Sequence, residues 1–318
     1  MKPLFRLAAL FVLIFGLRNS TQAGSLEGNT ETFQNYASSP DPSGFLQFAK
    51  AVHSTRHVAE DTSQTVSLLD GSGTFAEFYT GYDYSILGDL STGFNNFKSG
   101  ILGSNSAYSA TSGGFQNSGI QTGVIYGIHL DPSSSLALEF SNVMTFPSGY
   151  SISGGSTVLY NTSLAPSLFS VSADYSLNLI QAGSSRTYVA VSGGYYHGTV
   201  AYNNNGGGYG GGTFTGDNIG GTLGIGEEVS LGSGFGFNFS LHGRYAYFSQ
   251  VSSTMAVGLS GGTGTTYLCL ASIGGPSNPK VLVPASSSLI NQNPSLISYA
   301  GLDYSGLDAH AAVEYHFF

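Results

Sequence analysis

Charged residues make up only 8% of this chain, so each one inside a run of uncharged sequence invites a question about chemistry. Arg244, in "LHGRYAYF", is the basic residue of such a run, with Arg186 as a second near a turn. Asp308 stands nine residues before Phe317, and Asp83 lies at a similar depth in the segment beginning near Gly73. A guanidinium between two carboxylates forms charge-assisted, bidentate hydrogen bonds. Such a group serves either as a constriction across a pore or as an internal strut, and the strut is the commoner use. Glu139, Asp174, His310 and Glu314 share the polar alternation of these residues and complete an expected ionic network.

The histidines raise the question of a metal. His310, Glu314 and His316 fall on one polar face, but spacings near 7 Å along a strand do not converge on one ion. His53 and His57 are four apart, and with Glu60 or Asp61 they suit zinc on a helix; a solvated helix face is the blander reading. No metal and no cofactor is expected. "YYHGTV" and "LHGRY" place His197 and His242 toward one rim, and His242 shares a face with Ser240. A nucleophile needs an activating base in hydrogen-bond reach. Spacing alone supplies none, so no enzyme is expected.

The elements that must hold these residues follow a period of two. In Ser118–Asp131 (SGIQTGVIYGIHLD), Ile120, Thr122, Val124, Tyr126, Ile128 and Leu130 alternate with Gly119, Gln121, Gly123, Gly127 and His129. The turn "DPSSS" follows, and then Leu136, Leu138, Phe140, Met144 and Phe146 alternate with Ser135, Glu139, Ser141 and Thr145. That is a hairpin apolar on one face. Similar strands are expected at Thr74–Ser85, Phe169–Leu179, Arg186–Tyr202, Asp217–Leu231, Phe235–Gln250 and Ser305–Phe318. Short connections (131–134, 181–185, 232–234) alternate with long ones (86–116, 147–165, 203–216, 251–304) rich in Gly, Ser and Asn. Glu227 falls on the apolar face, and a bulge among Gly224, Gly226 and Glu227 would turn it inward.

Eight strands with alternating short and long connections give an all-β, closed, antiparallel up-and-down transmembrane barrel. The count rises to ten or twelve if loop segments such as Met255–Ser260 and Thr265–Ala271 are strands. Hydrocarbon cannot satisfy backbone N–H and C=O groups, so strands that cross it close on themselves. A soluble sandwich also alternates, but its outer face is charged, whereas here that face is apolar and aromatic. The composition agrees: Phe 21, Tyr 20, Gly 46, no Trp.

The longest apolar run, Leu7–Leu17, follows Lys2 and Arg6 and precedes Ser20–Ala23, which reads as an export signal over residues 1–23. Its loss takes away Lys2, Arg6 and Arg18 and moves the net charge from −9 to −12. A surface that acidic excludes nucleic acid as a partner. Residues 24–72 are expected to be an N-terminal extension, periplasmic or folded into the barrel mouth, in which Gly44–Glu60 could form a short helix. Cys269 has no second cysteine to pair with.

Residues 73–318 resemble the eight-stranded outer-membrane barrels, the OmpA transmembrane domain and opacity-type proteins. The resemblance rests on strand layout, on "FAEFYTGYDY" (Phe75–Tyr84), and on the end "VEYHFF". It implies that Val313, Tyr315, Phe317 and Phe318 form the terminal signal read by the barrel-assembly machinery; Phe318 falls one residue past the stripe. It also implies residence in a Gram-negative-type outer membrane, in contact with its lipid. The function expected is structural or surface-interacting, adhesion-like, through the long loops, with an unknown extracellular partner. A small porin or channel is the alternative and an outer-membrane enzyme the third.

Overall fold

The computed structural model describes residues 73–111, 113–206, 210–254, 265–272 and 275–317, all within the unit Leu68–Phe318. The expected signal (1–23), the extension (24–72) with His53 and His57, Met255–Ser260 and Phe318 lie outside the described residues.

In chain order the elements are β1 (Thr74–Ser85), α1 (Gly88–Ser104), β2 (Tyr108–Ala110), β3 (Ser118–Asp131), β4 (Ser134–Thr145), β5 (Ser148–Gly154) and β6 (Thr157–Ala182). There follow β7 (Ser185–Asn204), β8 (Gly210–Gly232), β9 (Phe235–Tyr245), β10 (Tyr247–Phe248), β11 (Ser252–Ser253), β12 (Thr266–Ser272) and β13 (Lys280–Ser286). The chain finishes with α2 (Ser287–Gln292), β14 (Ile297–Tyr299), β15 (Leu302–Asp303) and β16 (Gly306–Phe317).

Among the described residues, eight strands close a ring. β1 pairs with β3, β3 with β4, β4 with β6, β6 with β7, β7 with β8, β8 with β9, and β9 with β16, every pair antiparallel. β16 returns to β1 in unbroken register from Thr74↔Phe317 to Ser85↔Gly306. The ring leaves no open edge, which is the condition for backbone in hydrocarbon. The alternation read from sequence sorts side chains as expected. Phe78, Leu138 and Phe239 are 65%, 51% and 57% exposed on the outer face, while Glu77, Asp83 and Glu314 are buried on the inner one. Apolar surface left in water costs roughly 25 cal/mol per Å², so a continuous belt of this kind belongs in lipid.

Glycines on the inner face make room for lumen aromatics. A Cβ on Gly123 would run into the Tyr79 ring, and one on Gly226 into that of Tyr188. An eight-stranded barrel is just wide enough to be filled by side chains, and these rings fill it. The β8–β9 turn is Ser233–Gly234, with φ of 56° and 82°, the left-handed pair of a tight hairpin.

The structure corrects the expectation for Glu227. The β8–β9 register is regular past it, Glu227 opposite Phe239 and Glu228 opposite Asn238, and shifts only between Ser230 and Gly232. No bulge turns Glu227 inward. It stays on the outer face beside Phe239 in the apolar belt, where a carboxylate is less welcome than its apolar neighbours.

The long connections are the larger correction. Expected as loops, they fold into a cap with its own core. β6, β7 and β8 run 26, 20 and 23 residues, against 12 for β1 and β16 and 11 for β9. Their outer halves form a sheet extended by β5 and β2 at one edge, and by β11, β12, β13 and β14 at the other. These extra strands do not enter the ring. α1 lies against the sheet with Leu90, Gly93, Phe94 and Phe97 buried, the i, i+3, i+4, i+7 spacing of one helix face. Leu87, at φ 44°, turns the chain into α1, and its N–H donates to the Asp303 carbonyl at 2.8 Å. Asp89 in the first helical turn accepts from Gly301 N–H at 2.8 Å.

Candidate functional site: the barrel lumen and its seal

The inner face places Glu77, Asp83, Glu139, Asp174, Glu228, Asp308 and Glu314 in a space whose described arginines are Arg186 and Arg244. Burying unpaired charge is costly, so the geometry of pairing decides how this set persists. It divides into three tiers.

The outer tier centres on Arg244, at the end of β9. Its Nη2 donates to Asp83 Oδ1 at 2.5 Å and to Ser85 Oγ at 3.1 Å. Nη1 donates to Gln121 Oε1 at 3.1 Å and to Asp308 Oδ2 at 3.4 Å, and Nε donates to the Tyr304 carbonyl at 3.0 Å. A guanidinium has five N–H donors, and here five acceptors surround it. His242 Nδ1 and His310 Nε2 approach the other oxygen of Asp308.

The middle tier is mostly neutral donors on carboxylates. Tyr79 OH donates to Glu139 Oε1 and accepts from Gln121 Nε2. Ser172 Oγ lies 3.2 Å from Glu139 Oε2 and 3.4 Å from Asp174 Oδ1. Tyr188 OH donates to Asn238 Oδ1, and Asn238 Nδ2 donates to Glu77 Oε2 at 2.9 Å.

The inner tier, near the short turns, joins Arg186 to Glu228 and, at 3.4 Å, to Glu314. His316 Nε2 sits 3.3 Å from each of these carboxylates, and its Nδ1 lies 3.3 Å from His129 Nε2.

Of the residues singled out in sequence, Arg244, Asp83, Asp308 and His310 meet in the outer tier. Glu139 and Asp174 lie in the middle tier, which Gln121 links to the outer one by accepting from Arg244 and donating to Tyr79, and Glu314 lies in the inner tier. Arg186, Glu228, Glu77 and Gln121 were not in the expected network. The signal for the first two was parity: Arg186 stands opposite Glu228 on neighbouring strands, both pointing inward. His310, Glu314 and His316 do not converge. The groups of ligand type that come together among the described residues are His242–Asp308–His310 and His129–Glu314–His316. Val313, Tyr315 and Phe317 form an exposed outer stripe, with the Phe235 and Tyr315 rings 4.8 Å apart.

Above Arg244, among the described residues, an apolar cluster lies over the lumen. Tyr196, Val200, Phe248, Val251, Leu302 and Tyr304 are buried in one cluster with the α1 face and β12–β13. Tyr304 OH donates to the Thr199 carbonyl at 3.2 Å, and its own carbonyl serves Arg244. The polar column and the apolar cap therefore meet at one residue. Within the cap, burial pushes the Cys269 thiol up to about 12. On the outer surface of the extended sheet, Asp217 accepts from Tyr195 OH and lies 2.6 Å from His197 Nδ1; these two contacts lower its carboxyl below the usual range.

No family model matches the chain, and no curated protein sequence does. Solved structures with a similar fold include a major outer membrane protein from Thermus thermophilus, at 11% identity and TM-score 0.38, covering 77% of this chain and 99% of that one. Another is the outer membrane protein OprG from Pseudomonas aeruginosa, at 12% and 0.33, covering 78% and 97%. A third is the outer membrane protein AlkL in lipid bilayers, at 9% and 0.29, covering 81% and 95%. Similarity at this level concerns barrel architecture and says nothing of ligand or activity.

Proposed function

We propose that the chain is an integral outer-membrane barrel with a structural and surface-interaction role, its partner contacts made by the folded cap. The observation that carries this reading is the apolar core of the cap, seated on the Arg244 tier at Tyr304. A lumen filled by paired side chains and covered by apolar ones is a support for the cap, and it argues against an open pore. The strand count and short turns fit the OmpA-type and opacity-type class. The outer stripe ending at Tyr315 and Phe317 suits recognition by the assembly machinery and contact with lipid. The acidic surface disfavours nucleic acid. The arrangement favours no reaction: His242 faces Asp308, and lumen hydroxyls such as those of Ser141 and Ser170 pair with one another.

Lys280 is exposed on the cap. A membrane-impermeant amine reagent applied to whole cells is expected to label it. Labelling that begins only after the outer membrane is opened overturns the surface reading. In planar bilayers the refolded protein is expected to show no steady open-channel current, and a steady current favours the channel alternative.

A further inference from the structure

We propose that His242, Asp308 and His310 bind one first-row transition-metal dication of the zinc class inside the barrel. Their ligand atoms all lie within 4.8 Å of one another. His310 Nε2 is 2.9 Å and His242 Nδ1 3.2 Å from the same oxygen, Asp308 Oδ1. At these distances hydrogen bonds are expected, yet Asp308 Oδ1 and His310 Nε2 are buried without a hydrogen-bond partner. The side chains of His310 and Asp308 are only 3% and 2% exposed. A buried carboxylate oxygen and a buried ring nitrogen left without hydrogen bonds cost free energy, which a cation bound by both would relieve. A tetrahedral ion with bonds of about 2.0–2.2 Å holds its ligands roughly 3.3–3.6 Å apart, a small relaxation from what is seen.

The surroundings fix the ligands. His310 stacks on Tyr79, with centroids 4.3 Å apart and planes 20° from parallel, and meets His242 edge-on at 4.8 Å. Both rings sit in notches left by glycine: a Cβ on Gly81 would lie 2.6 Å from His310 Cδ2, and one on Gly224 would overlap the His242 ring. Arg244 donates to Asp308 Oδ2, which turns Oδ1 toward the imidazoles in the way an outer partner orients a ligating carboxylate. The guanidinium charge is balanced chiefly by Asp83, at 2.5 Å. The wider lumen holds more carboxylates than arginines, so a dication relieves charge there. Two imidazoles and a carboxylate suit zinc-class metals and leave a fourth position for water. The corresponding atoms of the inner group are already paired through Arg186, Glu228 and Glu314. The ligands come from two adjacent strands, β9 and β16, at register positions Asp308↔His242 and His310↔Ser240, a convergence that spacing along one strand does not reveal.

The test is zinc titration of the refolded full-length barrel by calorimetry, alongside His242→Gln, His310→Gln and His316→Gln, each first checked for folding by its heat-dependent gel mobility. The expected result is one site per chain, weakened at least about 100-fold in H242Q and in H310Q. As a measurement that needs no variant, zinc X-ray absorption of the loaded wild type is expected to show two imidazoles with oxygen ligands. No zinc binding, an absorption spectrum without two imidazoles, or a site that survives H242Q and H310Q or is lost in H316Q instead overturns the proposal.

Discussion

Arg244 Nη2 and Asp83 Oδ1 stand 2.5 Å apart across the lumen, on strands separated by β16. The pair ties the first ring strand to the second last, and it is sealed from water above by Tyr304. Removing one member of such a pair leaves a buried charge without compensation. Arg244→Ala is expected to destabilise the barrel by about 3–5 kcal/mol. Replacing both by apolar residues of similar size, as in Arg244→Met with Asp83→Leu, should cost less than the single change. Urea unfolding of the refolded proteins checks this, and an Arg244→Ala midpoint equal to wild type would remove the strut.

Within the cap, α1 is expected to come loose from the sheet at Gly93. A Cβ there would lie 2.7 Å from Leu270 Cδ2 and 3.0 Å from the Leu282 backbone nitrogen. Gly93→Val therefore pushes α1 off β12 and β13, at a cost of roughly 1–3 kcal/mol to the cap. Limited proteolysis should cut within 88–104 while the barrel keeps its heat-dependent mobility. Unchanged resistance to protease would place α1 elsewhere.

Cys269 gives a pH-dependent reading of the same cap. Burial raises its thiol from 9.0 to about 12, so the folded cap holds the proton more tightly than the unfolded chain does. The cap's stability is then full below about pH 9 and falls as pH rises toward about 12. A maleimide at neutral pH should label the native protein far more slowly than the denatured one. Equal rates would show that the thiol is open to solvent.

Ser233 occupies a left-handed position at φ 56° next to Gly234. Asn accepts that conformation more readily than Ser, and Asn-Gly is the favoured pair for this kind of hairpin. Ser233→Asn is expected to stabilise by up to about 1 kcal/mol, seen as a higher unfolding midpoint. A lower midpoint would mean that the turn adopts another form.

The ring of eight strands was legible because its signal is repeated. Phe235, Phe237 and Phe239 against Gly236, Asn238 and Ser240 state which face meets lipid, and each strand restates it. Arg244 with Asp83 and Asp308 was legible from depth along three strands. The cap was not, because Gly, Ser and Asn fill 86–116 and 251–304 and read as loop. α1 carries Leu90, Phe94 and Phe97 at helical spacing, but its low-propensity residues hide it, and tertiary packing decides. The height of Glu139 and Asp174 in the lumen was hidden for a related reason. Alternation tells which way a side chain points, while the stagger between strands, which sets its height, is fixed by pairing.

The unequal strand lengths bear on any attempt to move the cap elsewhere. Three ring strands continue without interruption into it, so barrel and cap share one hydrogen-bond register. A slip of one residue in β7 would turn Tyr196 and Val200 out of the cap core at the same stroke as it turned Arg186 out of the lumen. The cap is therefore not a loop insertion that can be cut at the rim and grafted to another barrel. A transplant must carry β6, β7 and β8 whole, and the recipient ring must accept their stagger.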